Sequence, residues 1–418
     1  MTTPATGSTA DLELDALRAS VAADLTAYLG DLERLVNIDC GSYTPEGVDE
    51  VGRWTARFLA ELGAEIEVRP DPEGRFGATV VGTFRGMPGG PRVLLIGHMD
   101  TVFEPGTAAE RPFRIDDGVA YGPGVTDMKS GLLAGLYAIK AIVSEFDGVP
   151  FERLTFIANP DEEIGSPSSR EHIRTAAADV DACLVLECAR ANGDIVSARK
   201  GILDTRLTVH GRAAHAGVEP EKGRSAILEA ARIVHELHAL NGRWPGVTVN
   251  VGKIAGGSRP NVVAERCDLE VDVRSTTAEG LAEVEAAIRG LVATTEVPDT
   301  TVDANVLVSW LPMQKLERSG RLVDHARSVA ERLGFPVKDA ATGGASDANT
   351  TSGMGVPTLD GLGPIGGNDH SPAEYLDVES IVPRTTMVAG LLLAIARDPD
   401  VLAWRGDDPR FAPVVSSP

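Results

Sequence analysis

Apolar positions along the chain follow a helical period over the first sixty residues and then give way to short continuous runs. The helical spacing predicts an amphipathic helix over 12–36 and a second helix over 49–62, which Gly63 ends. Short apolar runs predict strands at 65–69, 78–84, 92–96, 154–158 and 182–186, with a helix at 130–145. This alternation indicates an α/β domain with a central, mostly parallel sheet that is largely buried and flanked by helices.

The pattern changes between residues 203 and 311. It predicts a strand at 203–210, a helix at 224–240, strands at 247–254 and 266–274, a helix at 277–292 and a strand at 301–309. The order β-α-β-β-α-β is typical of a ferredoxin-like α+β sandwich. A helix at 316–333 and a strand at 356–359 then resume the first pattern. We therefore predict a large domain made of 1–202 and 313–418, with 203–312 inserted into it.

Composition restricts the classes of protein to which this chain can belong. Its 418 residues are 43% hydrophobic, which is enough apolar material for a large core. The formal charge of -22 disfavours nucleic acid as a partner. The apolar run 387–396 is about half the ~20 residues that a membrane-spanning helix needs, so we expect no membrane span.

Two further features concern the cellular compartment. The amino terminus has no basic residue before Arg18 and no apolar segment of the kind found in signal peptides, so we predict a cytoplasmic protein. The cysteines show no C-x-x-C spacing, and we expect buried thiols rather than disulfides at Cys40, Cys183, Cys188 and Cys267.

Chemistry-bearing side chains stand where predicted strands end. His98 follows the run Val93-Leu-Leu-Ile-Gly97, and Asp100 lies two residues further on, on the same side of the chain. A metal-bound imidazole commonly donates its second N–H to a carboxylate, which is the role we predict for Asp100. The pair alone would equally fit a structural histidine beside a turn aspartate.

Asp127 lies in the turn-rich segment Tyr121-Gly-Pro-Gly-Val-Thr-Asp-Met-Lys-Ser130 before a helix. A phosphate-binding loop requires G-x-x-x-x-G-K-[ST], and Met128 before Lys129 breaks that pattern. Asp127 remains open as a helix cap or as a metal ligand. The ligand interpretation requires histidines and other carboxylates nearby.

Further carboxylates follow the next two predicted strands. Glu162 and Glu163 lie in an acidic turn, and their side chains should point in different directions, so that one binds metal and the other faces a substrate. Glu187 ends an apolar strand, where an unpaired carboxylate would be costly. His370 lies in a Gly-rich loop after the last predicted strand. Each has another interpretation when taken alone. Glu162 and Glu163 would fit an exposed acidic loop, and Glu187 would fit a strand-end acid paired with a basic residue. His370 would fit an ordinary loop histidine.

Taken together, these residues favour a metallohydrolase. Asp127, Glu163 and Glu187 supply three negative charges against the four of two divalent ions, and a bridging hydroxide would bring the centre near neutrality. Histidine nitrogens suit zinc, although cobalt or manganese would fit similar ligands. Glu162 is left as a free base beside the metal-bound water, as metal-assisted hydrolysis requires.

The chain resembles the dizinc exopeptidase superfamily of acetylornithine deacetylase, succinyl-diaminopimelate desuccinylase and glutamate carboxypeptidase. The segments that carry the resemblance are Gly97-His-Met-Asp-Thr101, Gly122-Pro-Gly-Val-Thr-Asp-Met-Lys129, Asp161-Glu-Glu-Ile-Gly165, Glu187, Gly211-Arg-Ala-Ala-His-Ala-Gly217 and Asn368-Asp-His370. They span nearly the whole chain, and the chain is most similar to the glutamate carboxypeptidase branch. It departs from that branch after Glu187, where Cys188-Ala-Arg-Ala replaces a Pro-Thr type continuation.

The resemblance implies a role for each motif residue. Asp127 would bridge two zinc ions and be followed by a cis peptide bond to Met128. One ion would be bound by His98 and Glu187 and the other by Glu163 and His370, with Glu162 as the general acid and base. In this family the inserted domain, residues 203–312, is a lid that also forms a homodimer, and 1–202 and 313–418 form the catalytic domain.

Substrate-binding residues are also implied by the resemblance. His215 would reach into the partner subunit's site and stabilise the oxyanion. The carboxylate of a small acidic N-acyl amino acid or peptide would be bound by Arg274, Asn261, Lys200 and the backbone at Gly344. Arg274 alone could equally be a strand-end residue paired with Asp272 or Asp268.

Three rival functions are weighed against the glutamate carboxypeptidase. A deacetylase or desuccinylase would use the same metal residues. A protein that only binds metal or an acidic ligand would have no use for the free base Glu162. A serine hydrolase is disfavoured because the chain contains no G-x-S-x-G motif.

Overall fold

The computed structural model describes residues 9–146 and 148–407, with side chains from residue 13 to residue 405. The helices are α1 Thr9–Ala23, α2 Leu25–Val36, α3 Pro45–Glu61, α4 Thr107–Glu110, α5 Ser130–Glu145, α6 Arg170–Ala177, α7 Ala226–His238, α8 Ala278–Val292, α9 Glu317–Leu333, α10 Asp347–Gly353, α11 Ile381–Arg397 and α12 Pro399–Asp407. The strands are β1 Glu65–Arg69, β2 Thr79–Arg85, β3 Arg92–His98, β4 Arg114–Asp116, β5 Val119–Tyr121, β6 Arg153–Asn159, β7 Ala182–Val185, β8 Ile195–Arg199, β9 Gly201–His210, β10 Thr248–Gly256, β11 Arg266–Ser275, β12 Thr301–Trp310, β13 Asp339–Thr342, β14 Thr358–Leu359, β15 Gly366–Gly367 and β16 Tyr375–Asp377.

These elements form two compact units. The first contains the described residues up to Ser197, Lys315–Ala341 and the described residues from Ser346 onward. The second contains Ala198–Gln314 and Thr342–Ala345. The predicted insertion, 203–312, falls within the second unit.

A six-stranded sheet forms the centre of the first unit, with the strand order β1-β2-β6-β3-β7-β14. The strands β6, β3, β7 and β14 run parallel, while β1 and β2 are antiparallel additions at one edge. Six of the seven residues of β3 are buried, as expected for a strand covered on both faces. The predicted class, an α/β fold with a central and mostly parallel sheet, is confirmed.

The core of this unit lies between the sheet and a layer of apolar helices. α11 packs against α5, α9 and α1. With the turn before it, α11 forms a helical stretch over Val378–Arg397 whose length and mean hydropathy of 1.5 would suit a membrane span, but 72% of it is buried in the protein. It is therefore a core helix. The stretch extends beyond the run 387–396 because it includes Ile381 and Val382, although Glu379, Arg384 and Arg397 also belong to it.

The second unit has its own sheet and core. Its strands are antiparallel in the order β10-β11-β9-β12, and α7 and α8 pack on the sheet. Residues of α7, such as Ile233 and Leu237, are buried with Leu207 and Val271 of the sheet. The chain order of these elements is β-α-β-β-α-β, as the sequence pattern predicts.

Two sequence predictions of local structure were wrong. The stretch 12–36 is not one helix but two, α1 and α2, which are separated at Asp24. His370 does not follow the last strand, because it lies between β15 and β16 in a further four-stranded sheet, β15-β16-β5-β4. Strands of two and three residues are too short to show a period, which explains why the sequence pattern did not reveal them.

Candidate metal centre

Three neighbouring parallel strands bring their polar ends to one edge of the central sheet. His98 is the last residue of β3 and is level with Asn159, the last residue of β6. A 3₁₀ turn at Glu162–Ile164 follows β6, and Glu187 lies two residues beyond β7. Because β3 pairs with β6 on one side and with β7 on the other, these donors converge at their carboxyl ends.

Asp127 lies between two histidines. Its Oδ1 is 3.2 Å from Nε2 of His98, and its Oδ2 is 3.2 Å from Nε2 of His370. The predicted cis peptide bond between Asp127 and Met128 is present. Asp127 has φ -114° and ψ 94° within the turn Val125–Lys129, so it does not act as a regular cap of α5. One carboxylate thus presents an oxygen to each imidazole.

Two overlapping groups of donor atoms form around His98. His98, Asp127 and Glu163 make one group, and His98, Glu162 and Glu187 make the other, with the donor atoms of each group within 4.8 Å of one another. Nε2 of His98 is 3.7 Å from Oε1 of Glu187. Nε2 of His370 is 3.1 Å from Oε2 of Glu163. The six residues predicted from the strand ends therefore lie together in the first unit.

Asp100 contacts both the His98 ring and the turn that carries Glu162 and Glu163. Its Oδ1 is 3.2 Å from Nδ1 of His98, which leaves Nε2 of that ring to face Asp127. The Asp100 carboxylate also accepts the backbone amides of Glu162 and Glu163, each at 3.2 Å, and the hydroxyl of Ser42 at 2.6 Å. Asp100 therefore fixes both the imidazole and the acidic turn. The contact with His98 was predicted from the sequence, whereas the hydrogen bonds from the Glu162 and Glu163 amides were not.

The electrostatics of the cluster show a shortage of positive charge. Burial, and then the neighbouring carboxylate of Glu187, raise the pKa of Glu162 well above its usual value. Burial also raises the pKa of Glu163. Hydrogen bonds to Asp127 and Glu163 raise the pKa of His370 to about 10. Burial opposes protonation of His98, but Glu187 and the two aspartates outweigh it and raise that pKa. Imidazole nitrogens and crowded carboxylates of this kind suit divalent zinc-type ions, so the donor set fits the expected metal.

Sequence reasoning missed Glu374. This side chain is 1% exposed, and its carboxylate accepts the amides of Gly124 and Thr126 at 2.9 Å and that of Asp127 at 3.1 Å. Burial raises its pKa to about 7. A glutamate close to His370 in the sequence was the available signal, but only the folded chain shows which loop it holds.

A group of buried acids behind the Glu162 turn was also missed. Asp347, at the start of α10, accepts hydrogen bonds from Asn159 and, at 2.6 Å, from the hydroxyl of Ser166. Asp161 accepts the hydroxyl of Ser169 at 2.6 Å. Burial raises the pKa of Asp347 to about 7 and that of Asp161 to about 6. These acids tie the turn to the end of β6.

The segment after Glu187 is where the chain departs from the glutamate carboxypeptidase pattern. Cys188 is buried, and its Sγ lies 3.8 Å from a carboxylate oxygen of Asp369, the neighbour of His370. Arg190 approaches the same sulfur at 3.8 Å. The substituted segment therefore contacts the loop that carries His370.

Five other predicted residues lie in the second unit. His215 is exposed, and its Nδ1 accepts the amide of Gly217 at 3.1 Å. The carbonyl of Asn261 accepts the amide of Ala216 at 3.0 Å, so His215 and Asn261 lie on adjacent segments. Arg274, at the carboxyl end of β11, pairs with Asp272 at 2.7 Å, the alternative that its sequence position had left open.

Lys200 and Gly344 also belong to the second unit and lie near each other. The amide of Lys200 donates to the carbonyl of Thr342 at 3.1 Å. The guanidinium of Arg199 donates to the carbonyl of Gly344 at 3.1 Å. The loop that contains Gly344 is thus held beside the start of β9.

The α/β fold and the cluster of imidazole and carboxylate donors at the strand ends are those of a metal-dependent hydrolase of the peptidase and amidohydrolase class. Residues 94–394 match the model of Peptidase family M20/M25/M40, and the chain belongs to that family. It is 30% identical over 370 residues to carboxypeptidase G2 of Pseudomonas sp. (strain RS-16), covering 88% of this chain and 89% of the relative.

A second relative supports the same family, and a solved structure shows the same fold. The chain is 30% identical over 365 residues to the succinyl-diaminopimelate desuccinylase of Dechloromonas aromatica, covering 82% of this chain and 92% of the relative. Its fold is similar to that of a tripeptidase from Staphylococcus aureus, with a TM-score of 0.74 and 22% identity over 90% of this chain and 99% of that one. The expected membership of the dizinc exopeptidase superfamily is thereby confirmed.

Proposed function

We propose that this enzyme is a dizinc carboxypeptidase that hydrolyses the amide bond of a small substrate with a free carboxylate, with a C-terminal glutamate as the preferred leaving residue. The observation that carries the proposal is the position of Asp127, with one oxygen 3.2 Å from each of His98 and His370. Such a carboxylate can bridge two ions. The 30% identity to a carboxypeptidase over 88% of the chain supports this branch.

The donor groups divide into two sets in this proposal. His98 and Glu187 would hold one ion, Glu163 and His370 would hold the other, and Asp127 would bridge them. When bound, two zinc ions would polarise the scissile carbonyl and lower the pKa of a water molecule. The carboxylate of Glu162 accepts the proton of the attacking water and later delivers it to the leaving amine. Asp100 keeps the His98 ring oriented. Cobalt or manganese are possible substitutes for zinc.

Residues of the second unit would recognise the substrate. A guanidinium binds a carboxylate with two parallel hydrogen bonds, which makes Arg274 the main candidate. Asn261, Lys200 and the backbone at Gly344 would assist it. In the unliganded protein, Asp272 pairs with the Arg274 guanidinium at 2.7 Å and keeps it oriented. When the substrate binds, its carboxylate would replace Asp272 as the partner of Arg274.

We propose His215 as an oxyanion donor that one subunit contributes to the site of its partner. Because Nδ1 accepts the amide of Gly217, the neutral ring carries its proton on Nε2, which is then a donor.

The edge strand β10 supports a homodimer formed through the lid. Ile254 on this strand is 52% exposed, and Ile227 and Leu228 on α7 are 43% and 63% exposed. An apolar edge of this kind is suited to pairing with a second copy.

The test is a panel of initial rates for the zinc-loaded enzyme and its Glu162→Gln variant. The panel contains N-acyl and folate-type glutamates, N-acetylornithine, N-succinyl-diaminopimelate and dipeptides. Glu162-dependent hydrolysis confined to the glutamates supports the proposal. Glu162→Gln should keep its metal and lose about 10²–10⁴-fold in turnover. Silence across the panel with full metal content would instead favour a non-catalytic binding protein.

Arg274→Ala tests substrate recognition against a matched control. Arg266 lies on the same strand and pairs with Asp268 in the same way, at 2.8 Å. Arg274→Ala should raise KM for the glutamate substrates by about 10-fold or more, because a charge-assisted contact is lost. Arg266→Ala should leave KM unchanged. Equal effects of the two substitutions would rule out Arg274 as the carboxylate-binding group.

A desuccinylase is the second candidate. It is favoured by the 30% identity to succinyl-diaminopimelate desuccinylase over 82% of the chain, which equals the identity to the carboxypeptidase. Turnover of N-succinyl-diaminopimelate or N-acetylornithine in place of the glutamates would assign the enzyme to the deacylase branch.

A further inference from the structure

A cavity of about 670 Å³ lies in the first unit, and its lining residues are not those of the metal centre. Its wall is formed by α2, α3 and the strands β1 and β2, and none of the predicted metal ligands lines it. The volume falls within the roughly 300–1,000 Å³ that is usual for small-molecule sites. The hydrolytic reaction leaves this cavity without a role.

Three arginines from two helices line this cavity. Arg34 comes from α2, and Arg53 and Arg57 come from α3. Arg53 and Arg57 are four residues apart, so they lie on the same face of the helix and repel each other. None of the three forms an ion pair with any residue between 13 and 405 whose side chain the structure describes. In a chain with 39 basic and 61 acidic residues, a group of unpaired arginines is unexpected.

Two acids, Asp49 and Glu50, also line the cavity, so three guanidinium groups and two carboxylates leave it with an excess of one positive charge. Asp49 accepts the backbone amide of Ala78, another lining residue, at 2.7 Å. Glu50 is exposed on α3 and forms no ion pair among the described side chains. The arginines outnumber the acids, and guanidinium groups bind phosphate and carboxylate with paired hydrogen bonds.

The remaining wall is apolar. Ala56, Val68 and Val80 line it, and Val68 is 54% exposed on the edge strand β1. Exposed apolar surface beside arginine side chains fits a molecule that has both an apolar body and an anionic head. A bare inorganic anion would leave this surface uncovered.

The base of the cavity lies close to the strand that carries His98. A Cβ on Gly52 would lie 3.3 Å from Val80 and 3.6 Å from the thioether of Met99, the residue between His98 and Asp100. α2 and α3 are joined by the segment that contains Ser42, whose hydroxyl donates to Asp100 at 2.6 Å. The cavity thus lies near Met99, whose neighbours in the sequence are His98 and Asp100, but it shares no lining residue with the predicted metal ligands.

We propose that this cavity binds a small soluble anion with an apolar body, whose phosphate or carboxylate head is held by Arg34, Arg53 and Arg57. This site is additional to the one that hydrolyses the amide bond. Its ligand is recognised by charge at the head and by apolar contact along Ala56 and Val68.

Calorimetric titration of the zinc-loaded enzyme with octyl phosphate tests the proposal, with inorganic phosphate as a second probe. The variant Arg53→Ala/Arg57→Ala should fold normally, because alanine is the best helix former and both side chains are exposed. We expect saturable binding of octyl phosphate by the wild type, weaker binding of inorganic phosphate, and a loss of about 10-fold or more in affinity in the variant.

The matched control is Arg18→Ala/Arg327→Ala, which removes two exposed helical arginines outside the cavity and makes the same change in charge. It should bind octyl phosphate like the wild type. Equal affinity of the wild type and Arg53→Ala/Arg57→Ala would overturn the proposal, and so would equal weakening in the control. Arginine-dependent sedimentation with phosphatidylglycerol vesicles, without binding of soluble octyl phosphate, would also overturn it by identifying a membrane surface as the occupant.

Discussion

Glu374 accepts a hydrogen bond at 3.1 Å from the backbone amide of Asp127, a residue 247 positions earlier in the chain. The same carboxylate accepts the amides of Gly124 and Thr126. Three donors of one loop thus converge on a single buried side chain. Asp127 can present its two oxygens to His98 and His370 because this loop is held in place.

Glu374→Ala should weaken metal binding although Glu374 is not itself a proposed ligand. The substitution leaves three buried amides without their acceptor, at a cost of about 1–3 kcal/mol for each unsatisfied group. We expect zinc affinity to fall about 10–100-fold, the usual effect of losing a group that orients a ligand. Competition with a chromogenic chelator measures it. Glu379→Ala, an exposed glutamate five residues later, is the control and should not change zinc affinity.

Gly131 allows α5 to approach the strand end that precedes Glu187. A Cβ at this position would lie 1.8 Å from the carbonyl oxygen of Leu186, so alanine cannot fit without moving the helix or the strand. Gly131→Ala should lower the free energy of unfolding by about 1–3 kcal/mol or more. It should also weaken zinc binding, because Leu186 is bonded to Glu187. Urea unfolding and chelator competition measure the two effects.

Gly30→Ala is the matched control for that substitution. Gly30 lies inside α2, and a Cβ there would meet no other atom within 4 Å. Alanine should therefore raise the free energy of unfolding by about 0.5–1 kcal/mol, because it favours the helix more than glycine does. A loss of stability in Gly30→Ala equal to that in Gly131→Ala would mean that the contact with Leu186 is not the cause.

The residues that could be foreseen from the sequence are those whose position depends on local order. His98 and Glu187 follow short apolar runs that predict buried strands, and the carboxyl ends of adjacent parallel strands meet at one edge of the sheet. Glu374 could not be foreseen, because its role depends on the pairing of β16 with β5, strands too short to show a period. Asp347 was missed for a related reason, since its partners Asn159 and Ser166 lie more than 180 residues away.

The ionisation of Asp398 should make the free energy of unfolding of the first unit depend on pH. Hydrogen bonds from Arg321 outweigh burial and, together with His325, hold the pKa of Asp398 well below its usual range. The partners are Nη2 of Arg321 at 2.8 Å and Nε2 of His325 at 2.7 Å. Since the pKa is depressed in the folded state, the stabilisation is complete above the unfolded value of about 4 and is lost as pH falls through the folded value.

Asp398→Asn should therefore destabilise the protein at neutral pH and have less effect in acid. We expect a loss of about 1–3 kcal/mol at pH 7, since Arg321 and His325 lose a shared, buried partner. The difference between wild type and variant should shrink as the pH is lowered below about 4. Urea unfolding of both proteins across this range measures the difference. Asp400→Asn, which removes the more exposed partner of Arg321, should produce a smaller and flatter difference. A constant difference for Asp398→Asn would contradict this account.

His215 provides a test of whether the active site is shared between subunits. Alone, His215→Ala should keep its metal and lose about 10²–10³-fold in turnover, as when an oxyanion donor is removed. Glu162→Gln should also be nearly inactive. If His215 acts in the partner's site, a purified hybrid dimer of the two variants contains one site with both residues intact, and it should recover about half of the wild-type activity. If His215 acts within its own subunit, each site of the hybrid lacks one residue and the hybrid stays inactive. The residual activity of the His215→Ala homodimer is the baseline for this comparison.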